Sequence, residues 1–211
     1  MDTSNLSPLI FRLFNLKPKV KLHEYTHRTK VMNEIEFLKS CVKSIPDFPK
    51  KGIMFRDITS LCEDPKAFPL LVDIMAREFV DAGITKVAAT EARGFVFGAA
   101  IAAKLNCGFV LVRKLGKLPR PTFVENYNLE YGTGTLEIHK DAISSSDKVL
   151  VVDDLIATGG TIDATIRLVK KCGGTIAGVC FAISLPELGG EKKIEDTYGV
   201  KCISVLDFPE H

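Results

Sequence analysis

The sequence predicts an α/β fold: a mainly parallel central sheet flanked by helices. Two observations carry this expectation. Short β-branched apolar runs recur along the chain, and each is followed by a segment whose apolar residues return at helical spacing. At two of these junctions the apolar run ends in polar or charged residues before the helix opens, as it does at the carboxyl edge of an open parallel sheet. Strands are expected near 85–90, 109–113, 148–153 and 176–183, alternating with helices in the doubly wound pattern.

Residues 1–31 match neither the helical nor the strand period, and Pro8 and Pro18 interrupt them. They carry six basic and two acidic residues, a net of +4, which leaves 22 basic and 24 acidic residues, a net of −2, in the remainder. The main body is therefore not a nucleic-acid binder on charge grounds. Three readings of the first 31 residues stand: an upstream in-frame start with Met32 as the natural one, a loosely ordered surface arm, or an organelle-targeting peptide. His23-Glu24-Tyr25-Thr26-His27 matches the zinc-protease pattern, yet it lies in a basic, proline-flanked stretch with no obvious third ligand. A metalloprotease is not expected.

An amphipathic helix is expected to open at Asn33-Glu34-Ile35-Glu36-Phe37-Leu38-Lys39. Residues 45–59 hold too many prolines for a helix and read as a packed loop around Phe55, in which Arg56 and Asp57 could form a structural ion pair. Ile84 to Thr90 is a buried strand that runs into Glu91-Ala92-Arg93-Gly94 and then a small-residue helix. Arg93 is placed there for bidentate contact with a polyphosphate, and Gly94 permits close backbone approach. By itself an Arg at a helix start could equally pair with a surface acid.

Gly108 to Arg113 forms the next strand, leading into Lys114-Leu115-Gly116-Lys117-Leu118-Pro119-Arg120-Pro121. Charge, Gly and Pro make this a mobile cationic loop, or in isolation a solvated linker. The most informative stretch is Lys148-Val149-Leu150-Val151-Val152, then Asp153 and Asp154, then Leu155-Ile156-Ala157-Thr158-Gly159-Gly160-Thr161, then a helix that stops at Gly173-Gly174. Two ionised carboxylates cannot sit unpaired in a core, since each costs several kcal/mol, roughly, to desolvate. They belong at the strand's carboxyl end, where they can accept hydrogen bonds from a ribose diol. The backbone of Ala157 to Thr161, the hydroxyls of Thr158 and Thr161 and the following helix N-terminus suit a phosphate. A ribose 5-phosphate fits both halves of the unit. No Lys follows Gly160, so this is not an ATP-hydrolysing Walker loop, and Gly132-Thr133-Gly134 lacks the context of a dinucleotide fingerprint.

Hydrophobic content of 46% and charged content of 26% are ordinary for a soluble globular chain, and no apolar stretch approaches the ~20 residues that span a bilayer. The six cysteines form no Cys-x-x-Cys pair and read as small buried hydrophobes of a reducing, cytoplasmic compartment.

Val151 to Thr161 closely resembles the phosphoribosyl-pyrophosphate signature of the type I phosphoribosyltransferases. Residues 91–99, 45–59 and 127–132 resemble the adenine-using members of that family in the same order and spacing, and the resemblance covers most of 32–211, read as one phosphoribosyltransferase domain. It implies a small hood over the sheet's carboxyl edge, a homodimer, Mg²⁺ arriving with the pyrophosphate, and purine salvage from adenine and 5-phosphoribosyl 1-pyrophosphate to AMP and pyrophosphate. By the same resemblance Asp153 and Asp154 grip the ribose, and Ala157, Thr158, Gly159, Gly160 and Thr161 hold the 5′-phosphate. Arg93, Gly94, Arg113, Lys114 and Lys117 meet the pyrophosphate, Phe55 and Arg56 the adenine, and Glu130 manages the purine's ring proton, with Arg93 and Lys114 as its catalytic partners. No residue is expected to bind the metal directly. Leu115, Gly134 and Ser184 depart from the family pattern. A transferase for 6-oxopurines or orotate, or a non-catalytic sensor of the same ligand, are the competing readings; the cationic loop and Glu130 speak against the sensor.

Overall fold

The structure is a computed structural model, and it describes residues 22–129 and 132–209. The chain divides into two compact units, with the division after Phe37. Helix α1 (Leu22–Cys41) crosses it. The helix starts eleven residues before the expected Asn33, which corrects the reading of 22–31 as irregular. After Pro18 the segment holds no helix breaker, but it carries no apolar stripe either, so the hydrophobic period does not mark it. Residues 1–21 lie outside the described residues. The His23–His27 segment falls on this helix, and among the described residues no three His, Cys, Asp or Glu side chains converge as a metal site.

In the second unit β1 (Lys43–Pro46) and β2 (Met54–Asp57) pair antiparallel, with Ile45 opposite Phe55. This hairpin stands where the small hood is expected. Helices α2 (Thr59–Cys62) and α3 (Ala67–Arg77) follow, and Leu71, Met75 and Ala76 of α3 are fully buried.

The main sheet takes β3 (Lys86–Thr90), β4 (Gly108–Lys114), β5 (Thr122–Leu129), β6 (Gly132–His139), β7 (Lys148–Ile156), β8 (Thr175–Ser184) and β9 (Cys202–Asp207). Its order is β5-β6-β4-β3-β7-β8-β9, parallel from β4 to β9. Helices α4 (Gly94–Lys104), α5 (Gly160–Lys171) and α6 (Gly190–Tyr198) make the crossovers. Val149 to Val152 of β7 are wholly buried, as befits a strand covered on both faces. The four expected parallel strands are present.

The antiparallel edge made by β5 and β6 was not expected. Asn126, Asn128, Gly132 and Gly134 are poor strand formers, and here cross-strand contact overrides propensity. Tyr127 lies opposite Gly134, and its ring fills the space where a side chain at 134 would stand: a Cβ there would come within 2.3 Å of the tyrosine ring. Glycine at 134 leaves room for that ring.

From β3 the chain proceeds to β4 on one side, while β7, β8 and β9 extend the sheet on the other. The strand order therefore reverses between β3 and β7, the place where open α/β sheets form a ligand crevice.

Candidate active site

The β3–β7 ladder ends at Ala89↔Val152, yet β7 continues beside β8 as far as Ile156↔Ser184. Asp153 and Asp154 thus lie beyond the reach of β3 but still inside a strand. The sequence placed them at the strand's end; the partnership with β8 carries the strand two residues further. Both are only 7% exposed. The Asp154 backbone N–H donates to Asp153 Oδ1 at 2.9 Å. Burial, and then the Asp154 charge beside it, push the Asp153 carboxyl well above its usual range.

The turn from β3 into α4 fills the opening left by β3. Gly94, the first residue of α4, approaches Asp153 so closely that a Cβ would stand 2.5 Å from Oδ1. Its glycine character thus serves approach to Asp153 itself. Arg93 Nε lies 2.5 Å from Asp154 Oδ2, and its guanidinium stands 5.4 Å from the centre of the Phe55 ring. Phe55 makes an edge contact with Phe48 at 5.0 Å. One arginine therefore spans the carboxylates and the aromatic hood residue.

Beyond Ile156 the loop of Ala157, Thr158 and Gly159 turns into α5. Gly159 takes φ +79, a left-handed conformation that glycine adopts without strain. The first N–H groups of a helix such as α5 lack partners within it, the arrangement that binds phosphate. Support comes from Gly190, whose Cβ would stand 2.2 Å from the Ala157 carbonyl oxygen. Sequence reasoning missed Gly190; the Gly189-Gly190 pair was the available signal.

Arg113 and Lys114 close β4. Arg113 is held by Glu91 through Nε at 2.9 Å and Nη2 at 3.3 Å, and hydrogen bonds from Arg113 keep the Glu91 carboxyl below its usual range. The backbone of the following loop, expected to be mobile, is hydrogen-bonded to the sheet. Glu137, only 3% exposed, accepts hydrogen bonds from the Lys117 N–H at 2.8 Å and the Leu118 N–H at 2.9 Å. The side chains of Lys114 and Lys117 remain exposed.

Arg56 is turned to Ser44 Oγ at 2.6 Å and the Pro209 carbonyl at 2.8 Å, and stacks 5.1 Å from the Phe208 ring. It makes no ion pair with Asp57, which instead accepts from Thr59. Ser184 is buried, and its hydroxyl has no partner among the described residues. Glu130 lies outside the described residues. Asp153, Asp154, Arg93, Gly94 and Phe55 are thus brought together, with the 157–161 loop at the end of the same strand.

A family model described as a phosphoribosyl transferase domain matches residues 64–210. The adenine phosphoribosyltransferase of Pectobacterium atrosepticum is 56% identical over 178 residues, covering 84% of this chain and 96% of its own. The chain belongs to the adenine phosphoribosyltransferase family. The solved structure of the enzyme from Thermoanaerobacter pseudethanolicus matches with a TM-score of 0.78 at 47% identity, over 82% of this chain and 99% of its own. That of Saccharomyces cerevisiae, complexed with an imino-altritol bisphosphate and adenine, matches with a TM-score of 0.76 at 34% identity, over 83% and 99%.

The raised Asp153 carboxyl gives a first prediction. An acid whose folded value lies above its unfolded value stabilises the fold at low pH and loses that contribution as pH rises through the folded value. Asp153→Asn removes the ionisation, so its melting temperature should gain on the wild type as pH rises above the ordinary aspartate value near 3.9. Transfer activity should fall by about a hundredfold, roughly 3 kcal/mol of transition-state stabilisation. Melting curves across pH, with turnover measured in parallel, check both halves; equal pH dependence in the two proteins would contradict the burial argument.

Proposed function

We infer that the chain transfers the 5-phosphoribosyl group of 5-phosphoribosyl 1-pyrophosphate to adenine, giving AMP and pyrophosphate. The observation that carries this is the juxtaposition of a buried carboxylate pair, a glycine phosphate loop at the end of the same strand, and an arginine over an aromatic ring. Adenine N9 forms the bond to the anomeric carbon as the bond from that carbon to the pyrophosphate oxygen breaks. The electron pair leaves with pyrophosphate, and the base gives up its ring proton. Charge builds positive on the ribosyl centre and negative on the departing group, so the protein must align three bodies and balance both charges.

Asp153 and Asp154 accept hydrogen bonds from the ribose hydroxyls and favour the cationic ribosyl centre. Ala157 to Thr161 hold the 5′-phosphate. Arg93 turns from Asp154 to the pyrophosphate as the ribose hydroxyls take its place, with Gly94, Arg113, Lys114 and Lys117 completing the cationic side. Phe55 packs on the base; Arg56 reaches it through the backbone of β2, since its side chain is committed to Ser44 and Pro209. Glu130 accepts the ring proton. Asp153 and Asp154 would receive water ligands of a Mg²⁺ that accompanies the pyrophosphate, which suits an ion that keeps its hydration. The bound ion supplies neutralisation of the pyrophosphate charge.

Residues 1–31 stand ahead of this machinery as an extension, since every placed site residue lies at or beyond Phe55. A homodimer is supported by apolar side chains left exposed on α4 and β4, Val96 and Leu111. No helix among the described residues is long and apolar enough to cross a membrane.

The test is pyrophosphate release measured with adenine, hypoxanthine, guanine and orotate separately. Adenine alone should support rapid turnover; release with a 6-oxopurine or orotate would give the site to that base, and none with any base would leave a ligand sensor. The exposed lysines give a further prediction. AMP carries no pyrophosphate, so Lys114→Ala and Lys117→Ala should barely change AMP affinity. Each should cost roughly 2–4 kcal/mol in the transition state, seen as slower single turnover at saturating substrate. Equal losses in both measurements would mean that these lysines support the site in general.

A further inference from the structure

Glu137 stands on a face of β6 where an acid is ordinarily solvated, yet it is buried. Its neighbours Leu136 and Ile138 belong to the core beside α5, and side chains alternate along a strand, so Glu137 lies on the opposite face. A carboxylate buried there needs donors. Among the described residues each of its donors comes from the segment 117–122. The Lys117 and Leu118 N–H groups both donate to Oε1, at 2.8 and 2.9 Å, and the Thr122 hydroxyl donates to Oε2 at 3.2 Å. The segment thus meets the very acid that fastens it.

The same segment is tied at both ends. The Leu115 N–H donates to the Thr135 carbonyl at 3.3 Å, and the Lys140 N–H donates to the Pro121 carbonyl at 2.9 Å. An unbroken series of contacts also joins it to the acidic pair. Arg113 Nη1 donates to the Lys117 carbonyl at 3.1 Å, so Lys117 is held through its N–H by Glu137 and through its carbonyl by Arg113. Arg113 is fixed in turn by Glu91, which also accepts from the Lys114 N–H at 3.3 Å. The Glu91 N–H donates to the Val112 carbonyl at 2.9 Å, and two residues on, Arg93 reaches Asp154. All the bonds at Lys117 in this series are to its backbone, and its side chain is exposed.

We propose that Glu137 is a positioning residue for phosphoribosyl transfer: it holds the Lys117 backbone so that the Lys117 ammonium meets the departing pyrophosphate from a fixed support. A cation already aligned with developing charge acts without reorganising at the moment of reaction, whereas one on a loose chain must first be ordered. Glu137 acts only through the lysine. The proposal rests on the role given above to Lys117 at the pyrophosphate.

The experiment measures single-turnover rate at saturating substrate, AMP affinity and melting temperature. The proteins are wild type, Glu137→Gln, Glu137→Ala, Lys117→Ala and the Glu137→Ala/Lys117→Ala double variant. Glu137→Ala should slow the reaction about tenfold while AMP affinity changes less than about threefold. A glutamine keeps an acceptor for both N–H groups and can donate to the Thr122 hydroxyl, so Glu137→Gln should stay within about threefold of the wild-type rate. The double variant should be no slower than Lys117→Ala alone, because the support matters only while the lysine is there. A wild-type rate in Glu137→Ala, with only the melting temperature lowered, overturns the proposal. So do fully multiplied losses in the double variant, or a Glu137→Gln as slow as Glu137→Ala. Should Glu137→Ala not fold, Glu137→Asp decides: its carboxylate is one methylene shorter, so a slowed reaction supports the proposal and a wild-type rate overturns it. Absence of turnover in the wild type, or a wild-type rate in Lys117→Ala, removes the reading beneath the proposal and the proposal with it. Failure in the Glu137 variants alone leaves that reading standing.

Discussion

Two neighbouring carboxylates inside a strand are expensive to keep, and most of the site is arranged around that expense. Asp153 and Asp154 are nearly inaccessible to water, and buried carboxylates need a counter-charge or hydrogen-bond donors. Arg93 supplies the charge to Asp154, and the Asp154 N–H supplies a donor to Asp153. Gly94 is the condition for the first, because any side chain there would push α4 and its arginine away from the pair. A polyhydroxyl ligand that replaces these stopgap partners gains interactions already desolvated and aligned, which is how preorganisation turns folding energy into binding.

The reversal of strand order between β3 and β7 makes this possible. β3 stops while β7 runs on with β8, which leaves one edge of β7 open to receive the turn at 91–94 and, in the working enzyme, substrate. The same extension sends the chain into the 157–159 loop, backed by Gly190 of the next crossover. The carboxylate pair and the glycine loop, proposed here for ribose and phosphate, are therefore consecutive along the chain, so their separation is fixed by covalent geometry. The cationic side is less committed: Arg113 is neutralised by Glu91, and Glu137 anchors the loop that presents Lys117.

Much of this was legible in the sequence because it is local. A β-branched run, an acidic pair and a glycine turn are contiguous, and contiguity fixes their relation once strand and helix are assigned. The turn that carries Arg93 and Gly94 was legible for the same reason, and it stands against the acidic pair. What was not legible depends on distant pairing. β5 and β6 contain asparagines and glycines that argue against strands, and contact across the pair, as between Tyr127 and Gly134, overrides them. The partners of the Arg56 side chain, Ser44 and Pro209, lie 12 and 153 residues away, so this pairing was beyond local reading. The helix from Leu22 carries no apolar stripe, so its period is silent.

The most direct test of the account follows the carboxyl groups themselves. Aspartate side chains labelled with ¹³C, titrated by NMR in the ligand-free protein and assigned through Asp153→Asn, report the protonation of Asp153. The account predicts that Asp153 keeps its proton well above the ordinary aspartate value of about 3.9, and that adding the ribose 5-phosphate moiety brings it back down. A ligand-free Asp153 that titrates with the exposed aspartates would contradict it, since the pair would then carry no stored cost for a ligand to relieve.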